Sequence, residues 1–384
     1  MKINSIKPWI VAGPPAETRP GSPELTYVFV QVDTDEGVTG WGEVTTYPGT
    51  VANRVVAAAL RQVDEFLRGE DPSQIEAIWH KLFRAFTYLG TRGAVTAMIS
   101  SIDIALWDIK GQVLGVPIYE LLGGPVRETV PLYTHFQYAT NVAEMVDHAS
   151  AEVAHGSRAI KTDPFMAAGG LSNTRYIDGQ IDRVVENTGV AMIGAIREAV
   201  GPDVEVLIDA HALYNVPTAI RLANRLAPFD ITWFEEPCPP ESYDALEQVR
   251  GQIPTRVSVG ERLYTRFEFL PVLNRHLTDY VMPDVTWTGG ISELKKIATL
   301  AETFYVPISP HDASGPVNVM AGAQVALTVP NFYRLEARRV GMDFYNAFLE
   351  EPLEVRDGAL IVPKRAGLGC RVDRAYLEAH QIDG

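Results

Sequence analysis

The strongest constraint on the fold is a regular series of ionisable residues, each at the end of a short apolar run. The series has intervals of 26, 26, 23, 27 and 25 residues and consists of Asp209, Glu235, Glu261, Asp284, His311 and Glu336. One interval accommodates a buried strand followed by an amphipathic helix, which is the repeat of a parallel β/α fold. The spacing therefore predicts repeated β/α units with a charged side chain where each strand ends.

Eight apolar runs after residue 125 are short enough to be strands, and segments of helical periodicity separate them. The runs are Val130–Tyr133, Ser157–Lys161, Val204–Asp209, Ile231–Glu235, Arg256–Glu261, Asp279–Pro283, Tyr305–Ser309 and Phe332–Glu336. Eight parallel strands favour a closed barrel, in which active sites lie at the C-terminal rim. We therefore expect the ionisable residues to meet in one ring, the alternative being six unrelated helix caps and ion pairs.

The first 125 residues have the pattern of an α+β domain. Residues 3–41 contain two or three candidate antiparallel strands, and residues 51–124 follow a helical period. Between the first strands, the segment Gly13–Pro23 is too rich in Pro and Gly for regular structure. We expect it to form a mobile loop.

Composition narrows the class of partner. The 384 residues include 33 Lys and Arg against 48 Asp and Glu, a net charge of −15 that disfavours nucleic acid and anionic membranes. No apolar run is long enough to cross a bilayer, and the first residues lack the features of a secretory signal. With only Cys238 and Cys370, a disulfide framework is excluded. We expect a cytoplasmic protein that acts on a small molecule.

Three carboxylates of the series come from consecutive strands. Asp209, Glu235 and Glu261 should converge at the barrel mouth, where like charges need a cation between them. Oxygen ligands favour a hard ion such as Mg²⁺. The alternative is that each carboxylate pairs with a nearby arginine such as Arg225 or Arg262.

Other residues at the same rim have acid–base character. His211 follows Asp209 by two residues, so strand alternation should direct both side chains to one face. His311 lies beside the strand of Asp284, a pairing that suits a general base. Lys161 ends the second strand, where its charge could hold an anionic group of a substrate.

Short motifs extend this pattern along nearly the whole chain. They are residues 102–111, Gly115-Val116-Pro117, Glu235-Glu236-Pro237, Val259-Gly260-Glu261, Pro283-Asp284 and Gly289-Gly290. Together they resemble the motifs of the enolase superfamily, mandelate racemase subgroup. The resemblance implies the α/β class and a modified TIM barrel, (β/α)₇β, with an N-terminal α+β capping domain. The expected parts are a cap over residues 1–125, a barrel over 126–345 and a segment over 346–384 that returns to the cap.

The resemblance also implies roles for individual residues. Asp209, Glu235 and Glu261 would bind Mg²⁺, and His311 paired with Asp284 would be a base. Glu336 would hydrogen-bond the substrate carboxylate. Family members are often dimers or octamers, so a homo-oligomer is expected.

One position departs from the racemase pattern. Racemases of the subgroup have Lys-x-Lys at the end of the second strand, whereas this chain has Lys161-Thr162-Asp163. Asp163 thus occupies the position of the second base, and a symmetric two-base racemase is in doubt. The string Asp209-Ala210-His211 instead resembles the Asp-x-His of sugar-acid dehydratases related to galactonate dehydratase, whose His is the general acid.

The resulting prediction is a Mg²⁺-dependent sugar-acid dehydratase that forms a 2-keto-3-deoxy sugar acid through an ene-diolate. Lys161 would neutralise the substrate carboxylate, and Asp163, Tyr47 and Arg19 are candidate substrate contacts. The main alternative is a cycloisomerase of a sugar-acid lactone or anhydro-sugar acid through the same ene-diolate. A racemase or epimerase and a non-catalytic binding protein are further alternatives.

Overall fold

The computed structural model describes residues 1–14, 25–46, 50–170, 178–337 and 342–382. The N-terminal part contains an antiparallel sheet of three strands, β1 (Ile3–Ala12), β2 (Thr26–Thr34) and β3 (Thr39–Glu43), in the order β1-β2-β3. Its helices are α1 (Thr50–Leu67), α2 (Ile75–Ala85), α3 (Ala94–Leu114) and the short α4 (Ile118–Leu121).

Strand β2 is buried on both faces, and alternation assigns its side chains to two cores. Val28, Val30 and Val32 pack with the N-terminal helices. Tyr27 and Phe29 point the other way and belong to the core that continues into the barrel. Because side chains alternate along a strand, one strand ties the two cores together.

The second part alternates strands with helices, as the spacing predicts. Its strands are β4 (Val130–His135), β5 (Ala159–Thr162), β6 (Glu205–Asp209), β7 (Phe234–Glu235), β8 (Val257–Val259), β9 (Tyr280–Val281) and β10 (Leu335–Ala337). The helices are α5 (Val142–Ala154), α6 (Pro164–Ala167), α7 (Arg183–Val200), α8 (Val216–Leu226), α9 (Tyr243–Arg250), α10 (Thr265–Asn274), α11 (Gly290–Thr303) and α12 (Pro316–Ala326). Strands β4 to β9 pair in parallel, each with its neighbour in sequence.

The ladder returns to its first strand. Strand β10 pairs in parallel with β4, with Glu336 opposite Tyr133. Between β9 and β10, the seventh position is made by single bridges from Ile308 to Val281 and to Phe332. The prediction of a strand over Tyr305–Ser309 is therefore wrong for most of its length. Tyr305 has a positive φ, and a proline at position 307 lacks the N–H that a ladder needs.

Aromatic rings fill the interior of the barrel. Tyr133 and Trp233 are buried there with the smaller Ala159 and Leu207, and half-buried Tyr280 and Tyr333 pack against them. The ring centroids of Tyr133 and Trp233 are 5.4 Å apart in an edge-to-face arrangement. This layer forms a solid floor beneath the C-terminal rim.

Buried carboxylates join the N-terminal part to the barrel. Oε2 of Glu43 accepts backbone N–H groups of Val317 and Asn318 in the first turn of α12. Asp103 on α3 accepts from the backbone and hydroxyl of Ser292 in α11. Both contacts satisfy N–H groups that a helix leaves without partners at its start.

The remaining elements lie after residue 342. They are α13 (Asp343–Asn346), β11 (Glu354–Arg356), β12 (Ala359–Ile361) and α14 (Arg374–His380). Strand β12 pairs with β4, whereas Gln381 forms a bridge with Val11 of β1. None of the described helices is long and apolar enough to cross a membrane.

Candidate active site

Three carboxylates lie together at the C-terminal ends of β6, β7 and β8. One oxygen from each of Asp209, Glu235 and Glu261 lies within 4.8 Å of the other two, and all three residues are buried. Burial, followed by the charge of Asp209, raises the pKa of Glu235 well above its ordinary value. Three buried acidic groups at these distances, with only oxygen donors, fit a hard divalent cation.

Lys161 supplies positive charge beside this cluster. Its ammonium lies 2.7 Å from Oε1 of Glu235, 2.7 Å from Oε1 of Glu336 and 3.3 Å from Oδ2 of Asp209. Burial alone would lower the pKa of Lys161, but Glu235 and Glu336 outweigh it and raise the pKa well above its usual range. Lys161 is therefore a permanent cation in the carboxylate ring.

His311 lies between two acidic partners. Its Nδ1 is 2.8 Å from Oδ2 of Asp284, and its Nε2 is 2.9 Å from Oε2 of Glu261. Asp284 is fixed in turn, since it accepts from the backbone of Thr286 and the amide of Asn318. Burial tends to lower the pKa of His311, but the charge of Glu336 and the hydrogen bond with Asp284 raise it overall.

His211 has the same arrangement at another strand. Its Nδ1 lies 2.9 Å from Oδ2 of Asp163, and its Nε2 lies 3.4 Å from Oδ2 of Asp209. The other oxygen of Asp163 accepts the backbone N–H groups of Phe165 and Met166 and so caps α6. Strand alternation does not explain this placement, because β6 ends at Asp209 and His211 has a φ of 49°.

The two histidines occupy opposite sides of the ring. Counting from β4, His211 follows the third strand position, and His311 follows the seventh, which is the position of Ile308. In a ring of eight positions, the third and the seventh face each other. A molecule bound in the mouth would thus meet an imidazole on each side.

Two aromatic residues below the rim hold the acidic side chains, and neither was among the sequence candidates. The indole Nε1 of Trp233 donates to Oε2 of Glu235 at 2.9 Å, and the hydroxyl of Tyr133 donates to Oε2 of Glu336 at 2.8 Å. The available signal was the period of the strand, since Trp233 precedes Glu235 by two residues and shares its face.

His135 is a further residue that the sequence reasoning missed. It ends β4, the first barrel strand, and lies opposite Lys161 in the register of β4 and β5. The same strand-end rule that identified the other residues applies to it. The prediction stopped this strand at Tyr133, two residues too early.

Arg225 and Arg262 were the arginines that, in the alternative to a metal site, would pair with the carboxylates. Arg262 does form an ion pair with Glu261, in addition to the carboxylate cluster. Arg225 pairs instead with Glu186 on the outer face of the barrel. Tyr47 and Arg19, the proposed substrate contacts, lie outside the described residues, as do most of the segment Gly13–Pro23 and residues 171–177.

Comparisons with known proteins agree with this architecture. Residues 7–123 match the description "Mandelate racemase / muconate lactonizing enzyme, N-terminal domain", and residues 144–376 match "Enolase C-terminal domain-like". Among solved structures, a mandelate racemase/muconate lactonizing enzyme-like protein from Rubrobacter xylanophilus has a TM-score of 0.89 and 34% identity. That comparison covers 100% of this chain and 98% of the other.

Three relatives of known name align over most of both chains. D-galactarolactone cycloisomerase from Agrobacterium fabrum is 36% identical and covers 91% of this chain and 90% of its own. D-galactonate dehydratase from Ralstonia pickettii is 34% identical with the same two coverages. D-xylonate dehydratase from Haloferax volcanii is 33% identical and covers 93% of this chain and 86% of its own. The predicted family and fold are confirmed: the chain belongs to the mandelate racemase/muconate lactonizing enzyme family of the enolase superfamily.

Proposed function

We propose that the protein is a Mg²⁺-dependent dehydratase of sugar acids. The observation that carries the proposal is the pair of histidines on opposite sides of the mouth, each with Nδ1 held by an aspartate. Dehydration removes a proton from C2 and a hydroxyl from C3. It therefore needs a base and a separate acid, each directed at its own carbon.

His311 is the proposed base. With Asp284 at Nδ1, its Nε2 is the nitrogen directed into the site, where it takes the C2 proton. His211 is the proposed acid, and its Nε2 protonates the 3-hydroxyl, which leaves as water. The resulting enol gains a proton at C3 to give the 2-keto-3-deoxy acid.

Asp209, Glu235 and Glu261 are the residues that would hold the divalent ion. When bound, such an ion stabilises the negative charge that develops on the substrate carboxylate as the C2 proton is lost. The oxygen-only donor set supports Mg²⁺ over softer metals. Lys161 and Glu336 complete the ring, with Lys161 offsetting part of its negative charge.

A library of open-chain aldonates and aldarates tests the proposal. Purified protein with Mg²⁺ should release a 2-keto acid from at least one of them, and chelation should abolish the product. Glu235→Gln should bind Mg²⁺ weakly and should not regain activity when Mg²⁺ is restored. Full turnover in chelator would contradict the proposed chemistry.

A cycloisomerase is the second candidate, and the 36% identity to D-galactarolactone cycloisomerase favours it. Opening an internal ring also needs a base at C2 and an acid at the departing oxygen, so the same residues would serve. The two reactions differ in substrate and in water balance. Conversion of a lactone without release of water, and no conversion of open-chain acids, would establish the cycloisomerase.

A racemase receives less support from the site. A racemase needs a second base across from His311, but the second lysine of the Lys-x-Lys pattern is replaced by Asp163. Both oxygens of Asp163 are engaged, one by the start of α6 and one by His211.

A cytoplasmic location and a homo-oligomer, dimer or octamer, remain predictions that gel filtration and cell fractionation would check.

A further inference from the structure

Trp287 is an aromatic neighbour of the proposed base. Its indole ring lies 5.2 Å from the imidazole of His311 between ring centroids, and the two ring planes are tilted by 42°. The side chain is half-buried and also packs against the core of the N-terminal part. Trp287 therefore contacts both the base and the domain that covers the barrel.

The turn after β9 carries two contacts of the same imidazole. The backbone N–H groups of Trp287 and Thr288 donate to the carbonyl oxygen of Asp284 at 3.1 and 2.8 Å. The carboxylate of Asp284 holds Nδ1 of His311 at 2.8 Å, and the indole of Trp287 contacts the ring. One tight turn thus supplies a polar and an aromatic partner of the base.

A backbone carbonyl of the N-terminal part fixes the indole. Nε1 of Trp287 donates to the carbonyl oxygen of Thr45 at 2.9 Å, and the hydroxyl of Ser314, three residues after His311, donates to the same oxygen at 3.0 Å. Thr45 is itself held, because its hydroxyl donates to Oε1 of Glu43 at 2.9 Å. The loops after the sixth and seventh strand positions therefore meet at one oxygen of the N-terminal part.

The hydrogen bonds of the imidazole constrain its nitrogen atoms. Nδ1 faces Asp284 and Nε2 faces Glu261, so the position of the ring carbons depends on packing. A catalytic group has to be held within about 0.5 Å of its productive position, and a displacement of about 1 Å can cost about 10²-fold in rate. An indole that contacts the ring and is itself anchored can supply this constraint.

We infer that Trp287 is a positioning residue, which holds the imidazole of His311 in the orientation that abstracts the C2 proton. The inference rests on the proposed function, since it gives a task to a neighbour of the proposed base. Binding of the acid is assigned to the metal cluster and Lys161. Loss of Trp287 should therefore slow the chemical step and leave the affinity for the acid nearly unchanged.

Two substitutions separate the two contacts of the indole. Trp287→Phe retains an aromatic ring beside His311 but cannot donate to Thr45, whereas Trp287→Leu loses both contacts. Trp107→Phe is the matched control, because Trp107 is also half-buried and its Nε1 crosses the same domain junction to the hydroxyl of Ser292, at 2.9 Å. The probe is the acid of the aldonate and aldarate library that the wild type converts fastest, prepared with hydrogen or deuterium at C2.

We expect Trp287→Leu to lower kcat about 10- to 100-fold with KM nearly unchanged. Trp287→Phe should lower kcat about 3- to 10-fold, the usual effect of one neutral hydrogen bond. In both variants the isotope effect of C2 deuterium on kcat should be at least as large as in the wild type, because proton abstraction is the step that slows. Trp107→Phe should keep the wild-type kcat and KM, and melting curves check that every variant is folded at the assay temperature.

Three results would overturn the inference. A raised KM with unchanged kcat would place Trp287 in substrate binding. An isotope effect smaller than that of the wild type would show that a step other than proton abstraction has slowed. A loss of kcat in Trp107→Phe equal to that in Trp287→Phe would indicate a general effect of the domain junction.

Failure of the proposed function has a different signature. If the wild type converts none of the acids in the library, the proposed function fails and the positioning role fails with it. If the wild type converts an acid and the Trp287 variants match its kcat, the positioning role alone is wrong.

Discussion

Oδ2 of Asp163 lies 2.9 Å from Nδ1 of His211, across two neighbouring strands of the barrel. The contact has the same form as that between Asp284 and His311, at 2.8 Å. In both, the second nitrogen of the imidazole is next to a carboxylate of the metal cluster. The aspartate that replaces the second lysine of the racemase pattern is thus paired with the proposed acid.

Asp163→Asn is expected to reduce turnover about 10²- to 10⁴-fold. The amide oxygen can still cap α6, but an amide N–H₂ group facing Nδ1 opposes the protonated imidazole that the acid step needs. Exchange of the C2 proton with deuterated water should persist, because His311 is unchanged. Steady-state rates and proton NMR of the recovered acid measure the two effects.

Asp182→Asn is the matched control, because Asp182 also caps a helix, α7, and has no histidine partner among the residues that the structure describes. It should keep turnover near the wild-type rate and unfold at a similar temperature. If both variants lost activity to the same extent, a general effect of cap substitutions would explain the result. Asp163 would then have no specific role in the acid step.

The two histidines should differ in a second experiment. His311→Asn is expected to lose turnover and C2 exchange together, since no proton leaves C2. His211→Asn should lose turnover but retain exchange in deuterated water, because abstraction precedes departure of the 3-hydroxyl and can reverse. Each loss should be about 10²- to 10⁴-fold.

Substrate binding must be measured in both variants, because a protein that does not bind the acid cannot exchange it. Exchange retained in His311→Asn and lost in His211→Asn would reverse the assignment of base and acid. Unchanged turnover in both variants would eliminate the mechanism.

Much of the site was predictable because it follows the chain locally. The strand-end positions of Asp209, Glu235 and Glu261 come from a repeat of about 26 residues, and the rim of a parallel barrel gathers strand ends in one place. The family motifs lie in the same local strings. The family and the fold could therefore be predicted from the sequence, and the comparisons confirm them.

What the sequence left out depends on contacts between distant segments. The hydrogen bond from Tyr133 to Glu336 and the contact between Asp163 and His211 require the barrel register and the side-chain rotamers, which no local pattern contains. His135 was missed because the end of β4 was placed two residues early. The roles of the site residues stay predictions that the variants described here would check.

Trp233→Phe should lower the affinity for Mg²⁺ about 10- to 100-fold, the range found when a partner of a metal ligand is removed. The indole N–H fixes Oε2 of Glu235, and a phenyl ring fills most of the same space without donating. Calorimetric titration with Mg²⁺ measures the effect directly, without reference to turnover.

Tyr280→Phe is the control for this variant. Tyr280 packs in the same aromatic layer, 5.1 Å from Trp233 between ring centroids, and removal of its hydroxyl leaves the ring in place. Its Mg²⁺ affinity should stay near that of the wild type. An equal loss of Mg²⁺ affinity in the two variants would indicate a general change in the packing of the aromatic layer rather than the loss of one hydrogen bond.

Glu43→Gln tests the junction between cap and barrel through its pH dependence. Burial, followed by the nearby charge of Asp312, raises the pKa of Glu43 to about 8. In the unfolded chain this carboxyl titrates near its ordinary value, so between roughly pH 5 and 8 the folded state holds a proton that the unfolded state has lost. Stability should therefore fall as pH rises, by up to about 1.4 kcal/mol per pH unit from this group.

A glutamine at position 43 does not titrate, and its amide oxygen can still accept the N–H groups of Val317 and Asn318. Between pH 5 and 8 the unfolding temperature of the wild type should therefore fall relative to that of Glu43→Gln. The advantage of the variant should be smallest at pH 5 and should increase with pH. Glu65→Gln, on the exposed face of α1, is the matched control and should show no such trend. A difference that is constant with pH would mean that Glu43 titrates alike in both states, and the junction would then carry an ordinary ionised carboxylate.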